Sequence, residues 1–325
     1  MCTAFTLPGE SLYFGRNMDL ECGFGEAVVI TPRNFPLSTK CAGTMPSHYS
    51  MIGMAHVADN YPLYAEAVNE KGLCAAGLNF PGNACYRPHP SPRRRGLAPY
   101  ELIPYLLGRC GTLTEARTLL QRVELVEIPF RPDLPLAPLH WLVSDASGSL
   151  VVEQTAAGMQ IYENPFGVLT NNPPFPFHCE NVRQYLGLSA RLPENTFAPA
   201  LSLSPFGMGA GAFGLPGDFS PASRFIKTLF CRMNSCCGPD PASRVAQVFH
   251  ILDAVAMVRG TVLTREDKPD LTTYSCCMDA AAGAYYYKTY ENSRITRVVL
   301  THERGEGIEL SIFPLRSGPD YLEED

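Results

Sequence analysis

Two short apolar runs open the chain. Residues 2–7 and 11–15 carry mostly apolar, aromatic and β-branched side chains, and a Pro-Gly turn separates them. This pattern predicts a β-hairpin in which Cys2 begins the first strand. Arg16 and Asp19 are then expected near Cys2 in space, at the point where the second strand ends.

Further elements follow from apolar runs and from helix caps. Strands are predicted over residues 73–80, 139–143, 150–154, 158–162, 168–171, 272–278, 284–290 and 295–300, with a hairpin turn over residues 145–148. Helices are predicted over residues 98–107, 116–123, 222–230 and 242–257, the last three after capping sequences that begin at Thr112, Ser220 and Asp240. Strands and helices come in groups without a βαβα alternation. This grouping favours an α+β fold with antiparallel sheets covered by helices.

Composition narrows the class of protein. The chain has 325 residues, of which 46% are hydrophobic and 18% charged, so one large or two small globular domains would fit. A net charge of -6 argues against a nucleic-acid partner, and Arg93-Arg94-Arg95, the one basic cluster, is expected to be a solvated loop. No apolar run reaches the roughly 18 residues that span a bilayer, and no secretory signal opens the chain, so we expect a cytoplasmic protein without a membrane partner.

Cysteine usage points away from disulfides and metals. The 12 cysteines occur without a CxxC unit or a spaced His/Cys quartet, so most are expected to be reduced and no metal site is predicted. Cys2 differs from the others because removal of Met1 would leave it at the amino terminus. An α-amino group with a pKa of roughly 7.7–8.0 then stands beside a thiol with a pKa near 8.5, so one residue holds a nucleophile and its base. The alternative is an ordinary residue after the initiator, and the surrounding sequence must decide.

Other polar residues offer the remaining parts of an amide-hydrolysing site. Arg16 could lower the pKa of the Cys2 thiol and Asp19 could hold the amine, although a surface Arg/Asp pair is an alternative. Asn79 and Asn171 each end an apolar strand before a proline turn, where asparagine is common, yet both could stabilise an oxyanion. Arg224 begins a predicted helix, and pairing with Asp218 is its alternative role.

Motifs spread along the chain carry a family resemblance. They are Met1-Cys2-Thr3, residues 14–19 (FGRNMD), 69–73 (NEKGL), 77–81 (GLNFP), 139–141 (LHW), 152–154 (VEQ), 168–171 (VLTN), 215–225 (LPGDFSPASRF), 256–260 (AMVRG), 285–287 (YYY) and 289–292 (TYEN). In this order they resemble the choloylglycine hydrolase family, in particular its bile salt hydrolases. The set runs from residue 1 to about residue 300 and is specific as a set.

The resemblance implies a fold and an assembly. It implies a four-layered αββα fold of N-terminal nucleophile hydrolases, with two antiparallel sheets between helical layers, in a single domain over residues 2–325. It also implies a homotetramer, in which residues 180–214 resemble an excursion used in assembly.

The resemblance also implies a chemistry. Cys2 would be the nucleophile, Arg16 and Asp19 would orient and tune it, Asn79 and Asn171 would serve the oxyanion, and Arg224 would line the site. The substrates would be conjugated bile salts, cleaved through a thioester without metal or cofactor. The steroid would lie in an apolar pocket, for which the candidates are Met18, the turn over residues 22–24, Ala58, Tyr61, and the segment 128–136 with Phe130 and Leu134.

Other functions stay open at this point. Penicillin V acylases share the implied fold and nucleophile. The resemblance places an aromatic residue in many of them at the position of Asn79, so asparagine at this position favours bile salts as substrates. Gly207-Met208-Gly209 resembles a segment of glycine-preferring members. A silent steroid-binding protein would retain Met1, and a redox or metal sensor would use Cys231, Cys236 and Cys237.

Overall fold

The computed structural model describes residues 1–324 and contains two large antiparallel sheets. The strands are β1 (Cys2–Leu7), β2 (Tyr13–Leu20), β3 (Glu26–Thr31), β4 (Leu37–Thr39), β5 (Gly43–Met45), β6 (Met51–Ala58), β7 (Tyr61–Asn69), β8 (Cys74–Asn79), β9 (Arg95–Leu97), β10 (Val123–Leu125), β11 (Leu139–Asp145), β12 (Gly148–Thr155), β13 (Gly158–Glu163), β14 (Val168–Leu169), β15 (Val262–Leu263), β16 (Pro269–Asp279), β17 (Ala284–Thr289), β18 (Thr296–Val299) and β19 (Ser311–Pro314).

Helices accompany both sheets. They are α1 (Leu102–Arg109), α2 (Leu113–Leu120), α3 (Phe175–Asn181), α4 (Pro221–Asn234), α5 (Pro241–Asp253) and α6 (His302–Gly305), with short 3-10 helices at Pro99–Glu101, Val182–Tyr185 and Ala210–Ala212. None of the helices within residues 1–324 combines the length and the apolar character that crossing a membrane requires.

The strand order places the N-terminal strand next to the edge of its sheet, between β14 and β2. The first sheet runs β14-β1-β2-β16-β17-β18, with β15 paired to β16, and the second runs β13-β12-β11-β8-β7-β6-β3-β19. Helices α4 and α5 pack on β1, β2 and β16, whereas α1 and α2 pack on strands of the second sheet. The order of layers is therefore helices, sheet, sheet, helices, and the predicted α+β class with αββα layering is confirmed.

Burial explains why several strands lack a polar face. All six residues of β1 are buried, because one face meets the second sheet and the other meets α4. One apolar core lies between the sheets and beneath α4 and α5, and a second lies between the eight-stranded sheet and α1 with α2. A strand covered on both faces carries a nearly continuous apolar run.

The first hairpin is confirmed, but the prediction for its second strand was too short. β2 continues to Leu20, so Arg16 and Asp19 lie within the strand and do not follow its end. β2 pairs with β1 on one side and with β16 on the other, so its backbone is hydrogen-bonded through these polar positions. Tertiary pairing has here overridden the polar residues as a local stop signal.

Several predicted helix ends were wrong and several strands were missed. The helix predicted over residues 222–230 continues to Asn234. The Thr112 cap is confirmed, with its hydroxyl oxygen accepting from the Glu115 N–H at 3.2 Å. The helix it starts ends at Leu120, however, because Val123–Leu125 pairs in parallel with Arg95–Leu97. Helix α5 ends at Asp253 instead of continuing to residue 257. The long strands β3, β6 and β7 were not predicted; their stability comes from pairing with one another and with β8.

Residues 186–209 form neither helix nor strand. This segment follows α3 and the 3-10 helix after it. Its two ends lie close together, because the Ser189 N–H donates to the Gly211 carbonyl oxygen at 2.8 Å. It carries large apolar side chains on the surface, among them Phe197, Phe206 and Met208, which are 90%, 113% and 92% exposed. Such a density of exposed apolar side chains is unusual for the surface of a monomer.

Candidate active site

The register of the first hairpin places three candidate side chains together. Cys2 lies opposite Met18, and Arg16 lies opposite Ala4, so the side chains of Cys2, Arg16 and Met18 share one face of the pair. The Cys2 Sγ is 3.4 Å from the Arg16 Nη2 and 3.8 Å from the Met18 Sδ. The thiol is therefore buried beside a cation and a polarisable sulfur.

Arg16 is fully enclosed and held from more than one side. Its Nη1 forms an ion pair with the carboxylate of Glu66, and its Nη2 donates to the Gly77 carbonyl oxygen at 2.8 Å. Burial alone would lower the pKa of Arg16, but the Glu66 carboxylate, followed by Tyr274 and Cys2, raises it well above the ordinary value. The guanidinium is thus a fixed positive charge next to the thiol.

A second arginine and an asparagine hold the backbone of Cys2. The Cys2 N–H donates to the Asn171 Oδ1 at 2.9 Å, and the Arg224 Nη2 donates to the same oxygen at 2.7 Å. The Arg224 Nη1 donates to the Cys2 carbonyl oxygen and to the Thr3 hydroxyl, both at 2.6 Å. The Asn171 Nδ2 donates to the Asn79 carbonyl oxygen at 2.7 Å. Burial lowers the pKa of Arg224, and the negative charge of Asp19 opposes this shift.

Local structure explains how these side chains meet. Asn171 follows β14, which pairs with the outer side of β1 and so brings the end of that strand next to Cys2. Arg224 lies in the first turn of α4, whose Ser220 cap accepts from the Ser223 N–H at 3.3 Å. Asp218, the alternative partner of Arg224, instead accepts from Ser223 Oγ at 2.5 Å and from the Ser220 N–H at 2.9 Å. That alternative pairing is wrong.

Asp19 has one satisfied and one unsatisfied carboxylate oxygen. Its Oδ1 accepts from the Thr272 hydroxyl at 2.6 Å, whereas its Oδ2 is buried, lies 3.9 Å from the Arg224 Nη1 and has no hydrogen-bond partner in residues 1–324. The α-amino group of Met1 donates to the Asp19 carbonyl oxygen at 2.5 Å. Arg16 and Asp19 are 1% and 0% exposed, so the alternative of a surface ion pair is wrong.

The Cys2 thiol opens into an apolar cavity of about 450 Å³. Cys2, Arg16, His56 and Asn79 contribute polar groups to its lining, while apolar and aromatic side chains form most of its walls. Those walls include Met18, Leu20, Phe24, Leu63, Tyr64, Ala65, Pro99, Tyr100, Ile103, Phe130, Leu134, Pro135, Leu136, Ala137, Leu139 and Trp141. A cavity of this size and character suits an apolar small molecule with one polar end.

The structure brings some of the predicted pocket residues to this cavity and leaves others out. Met18, Phe130 and Leu134 line it, whereas Ala58 and Tyr61 lie outside its lining. The Tyr61 ring packs behind the wall, with its centroid 5.8 Å from that of Phe130 and 6.0 Å from that of Tyr100.

Sequence reasoning missed three polar neighbours of the site: Thr3, Glu66 and Thr272, which contact Arg224, Arg16 and Asp19 respectively. The available signal for Glu66 was a charged residue inside an otherwise apolar stretch. No cluster of three or more His, Cys, Asp or Glu side chains in the described part of the chain is arranged to hold a metal ion.

Comparison with known proteins places this geometry in a family. Residues 2–313 match the family model described as linear amide C–N hydrolases, choloylglycine hydrolase family. The chain belongs to the choloylglycine hydrolase family. It is 43% identical over 321 residues to a bile salt hydrolase/transferase of Lactiplantibacillus plantarum, with 99% of each chain covered. It is also 39% identical over 318 residues to a bile salt hydrolase/transferase of Clostridium perfringens, with 96% of each chain covered.

A solved structure agrees with this membership of the choloylglycine hydrolase family. The crystal structure of a mutant conjugated bile acid hydrolase from Clostridium perfringens superimposes with a TM-score of 0.93 at 36% identity, covering 100% of both chains. The resemblance inferred from the sequence motifs is therefore confirmed.

Proposed function

We propose that this enzyme hydrolyses the amide bond of glycine- or taurine-conjugated bile acids, with Cys2 as the nucleophile. The observation that carries the proposal is the position of the Cys2 thiol, next to Arg16 and in the lining of an apolar cavity that Asn79 also lines. The rigid steroid suits the apolar walls, and its side chain would present the amide to the thiol. Family membership and the names of the relatives support the same substrate class.

Removal of Met1 would complete the nucleophile. It converts the Cys2 N–H, which now donates to the Asn171 Oδ1, into an amine with additional hydrogens. The buried and unsatisfied Oδ2 of Asp19 is an acceptor suited to that amine. The amine takes the thiol proton as Cys2 Sγ attacks the amide carbon, and the proton then passes to the departing nitrogen of glycine or taurine. Water, activated by the same amine, hydrolyses the thioester and releases the bile acid.

Asparagine side chains would stabilise the tetrahedral intermediate. The Asn171 Nδ2 uses one hydrogen on the Asn79 carbonyl oxygen, which leaves a second hydrogen as a donor. The side-chain amide of Asn79, a residue of the cavity wall, supplies another. Arg224 holds both the Cys2 carbonyl oxygen and the Asn171 Oδ1, so it fixes the nucleophile relative to these donors.

Two finer proposals concern preference and assembly. Glycine conjugates are expected to be preferred because of Gly207-Met208-Gly209, although Met208 is 92% exposed and lies outside the cavity lining. Residues 180–214 are expected to pack against other copies of the chain in a homotetramer, which would cover the exposed side chains of Phe197 and Phe206.

The decisive experiment combines activity with intact mass. Purified protein is incubated with glycocholate, taurocholate and penicillin V, and amine release is measured while mass spectrometry records whether Met1 is absent. We expect glycine release by protein that lacks Met1, faster than taurine release. Cleavage of penicillin V alone would replace the proposal by a penicillin V acylase. Binding of glycocholate without turnover by protein that retains Met1 would point to a silent steroid-binding state.

A further inference from the structure

Glu66 is a buried carboxylate that reaches the active site from the opposite sheet. It lies on β7 of the eight-stranded sheet, is 0% exposed, and forms an ion pair with Arg16 on β2 of the other sheet. Ala65, the residue before it, has no partner in the register between β6 and β7, where Met54 pairs with Glu66 and Ala55 pairs with Tyr64. Such a β-bulge turns the next side chain to a new direction. The bulge therefore aims Glu66 into the space between the sheets.

The Glu66 carboxylate accepts hydrogen bonds from four side chains. Besides Arg16, the Tyr274 hydroxyl lies 3.1 Å from both carboxylate oxygens, the Tyr285 hydroxyl lies 2.5 Å from Oε1, and the Cys276 thiol lies 3.5 Å from Oε1. Burial and the charge of Glu66 raise the pKa of Tyr274 well above its ordinary value, so that its hydroxyl keeps its proton. Charge-assisted hydrogen bonds of this kind hold a buried carboxylate in one orientation.

The ion pair fixes the plane of the Arg16 guanidinium. Glu66 holds Nη1, and the Gly77 carbonyl oxygen holds Nη2 at 2.8 Å. Because both terminal nitrogens of the planar guanidinium are held, its rotation is restricted, and Nη2 lies 3.4 Å from the Cys2 Sγ. The geometry points to Glu66 as a positioning residue that aims Arg16 at the nucleophile and offsets part of its charge. This inference rests on the proposed role of Cys2.

The test removes the negative charge of Glu66 and keeps the size of its side chain. Glu66→Gln leaves Arg16 cationic but without its counter-charge and with a weaker anchor. We expect kcat for glycocholate to fall about tenfold or more with KM changed less than about threefold, because small displacements of a catalytic group strongly reduce the rate. The midpoint of the pH dependence of iodoacetamide labelling at Cys2 should move, because the substitution changes the charge and the position of the groups beside the thiol. Labelling is followed on the N-terminal peptide by mass spectrometry.

Control variants separate positioning from general destabilisation. Glu70→Gln removes a similar carboxylate, which pairs with Arg33 outside the site, and should leave kcat and the labelling midpoint unchanged. Glu66→Asp should restore much of kcat, and Tyr285→Phe should reproduce a smaller part of the Glu66→Gln effect. If Glu66→Gln fails to fold, Tyr285→Phe still provides the test. Unchanged kcat and midpoint in folded Glu66→Gln, or equal changes in Glu70→Gln, would overturn the inference.

The labelling measurement also keeps this inference distinct from the proposed function. If the wild-type protein does not release glycine, the proposed substrate is wrong, yet the midpoint of Cys2 labelling still reports on Glu66. If the wild-type protein is active and the midpoint does not move, Glu66 alone is wrong.

An independent feature lies on the other side of α1. A surface groove of about 640 Å³ is lined by five arginines and, among residues 1–324, by no aspartate or glutamate. These arginines are Arg93, Arg94, Arg95, Arg109 and Arg122. None of them forms an ion pair within the described chain, although its net charge is -6. The expected solvated loop is therefore one wall of a cationic groove.

Part of this groove is held in place by buried structure. The Arg95 Nη1 donates to the hydroxyl of Tyr105 at 2.7 Å, and the Arg109 guanidinium lies 4.7 Å from the centroid of the same ring, whose residue is 1% exposed. The parallel pairing of β9 with β10 sets Arg95 beside Val123, directly after Arg122. Glu124, whose pKa is lowered against the effect of burial by hydrogen bonds from Ser91 and also by the charge of Arg94, accepts from the Ser91 N–H at 2.6 Å and lies outside the lining.

We propose that this groove binds a small anion with two or more phosphate groups. Guanidinium groups recognise phosphate through paired hydrogen bonds, and several together suit a multivalent anion. Pyrophosphate and adenosine triphosphate are titrated into the full chain at constant ionic strength. We expect a rise in Tm that is lost in Arg95→Gln/Arg122→Gln but kept in Arg265→Gln, a control at an exposed arginine outside the groove and outside residues 180–214. Binding of adenosine triphosphate alone would identify a nucleotide. No rise, or an equal rise in both variants, would overturn the proposal.

Discussion

The guanidinium of Arg224 joins the nucleophile to the strand end that carries Asn171. Its Nη1 donates to the Cys2 carbonyl oxygen at 2.6 Å, while its Nη2 donates to the Asn171 Oδ1 at 2.7 Å. Lysine carries one point charge and cannot make both contacts in this geometry. Arg224→Lys should therefore lower kcat for glycocholate about 100-fold while the protein stays folded. Circular dichroism checks the fold, and near wild-type kcat would contradict the role assigned to Arg224.

The amino terminus should tolerate no extension. Insertion of one glycine between Met1 and Cys2 turns the Cys2 amine into an amide, which cannot accept the thiol proton, so turnover should fall to the level of Cys2→Ala. Cys236→Ala, which removes an exposed thiol, should keep full activity. Activity of the inserted protein would rule out the amine as the base, and loss of activity in Cys236→Ala would favour a redox role for the other cysteines.

Apolar contacts between the cavity walls and the steroid should lower KM. Leu134 lines the cavity, and removing its side chain takes apolar contact from the steroid, so Leu134→Ala should raise KM for glycocholate up to about tenfold with little change in kcat. Leu263→Ala, at a residue 55% exposed on β15, is the matched truncation and should leave KM unchanged. Equal KM values for both variants would place the steroid elsewhere.

Acid should destabilise the fold through His178. Burial lowers the pKa of His178 from its ordinary value of 6.5, and the hydrogen bond from its Nε2 to the Asn171 carbonyl oxygen opposes part of this shift. Below pH 6.5 His178 therefore takes up a proton more readily in the unfolded chain than in the folded chain. The contribution of the neutral His178 to the free energy of unfolding is present above pH 6.5 and is lost as pH falls from there towards the pKa of the folded state. Urea unfolding from pH 7.5 to pH 5 measures this slope. His178→Gln should flatten it, whereas His302→Gln at an exposed site should not; identical slopes would contradict the assignment.

Assembly should depend on the apolar segment over residues 180–214. Phe206 and Phe213 are 113% and 93% exposed in the single chain, so contact with other copies would remove them from water. Light scattering should show a tetramer for the wild-type protein and smaller species for Phe206→Ser/Phe213→Ser. Tyr321→Ser, at a residue 81% exposed near the C-terminus, should stay tetrameric. A monomeric wild-type protein would contradict the proposed assembly.

Local sequence was sufficient wherever a residue's environment is set by its neighbours along the chain. The hairpin that starts at Cys2, the caps at Thr112, Ser220 and Asp240, and the turn between β11 and β12 follow from short patterns, and the structure confirms them. The sequence also named Cys2, Arg16, Asp19, Asn79, Asn171 and Arg224, which the structure places in one buried region. Their roles remain predictions.

Tertiary structure decided what depends on contacts between distant segments. Strands β3, β6 and β7 escaped notice because strands buried on both faces lose the alternation that marks a half-exposed strand. Glu66 meets Arg16 only because two sheets face one another, and Arg122 joins the arginine cluster only because β9 pairs with β10. The sequence by itself determined which groups are available and where the strand that carries Cys2 begins. Their distances, burial and charge partners came from packing, since those quantities depend on residues far apart in the chain.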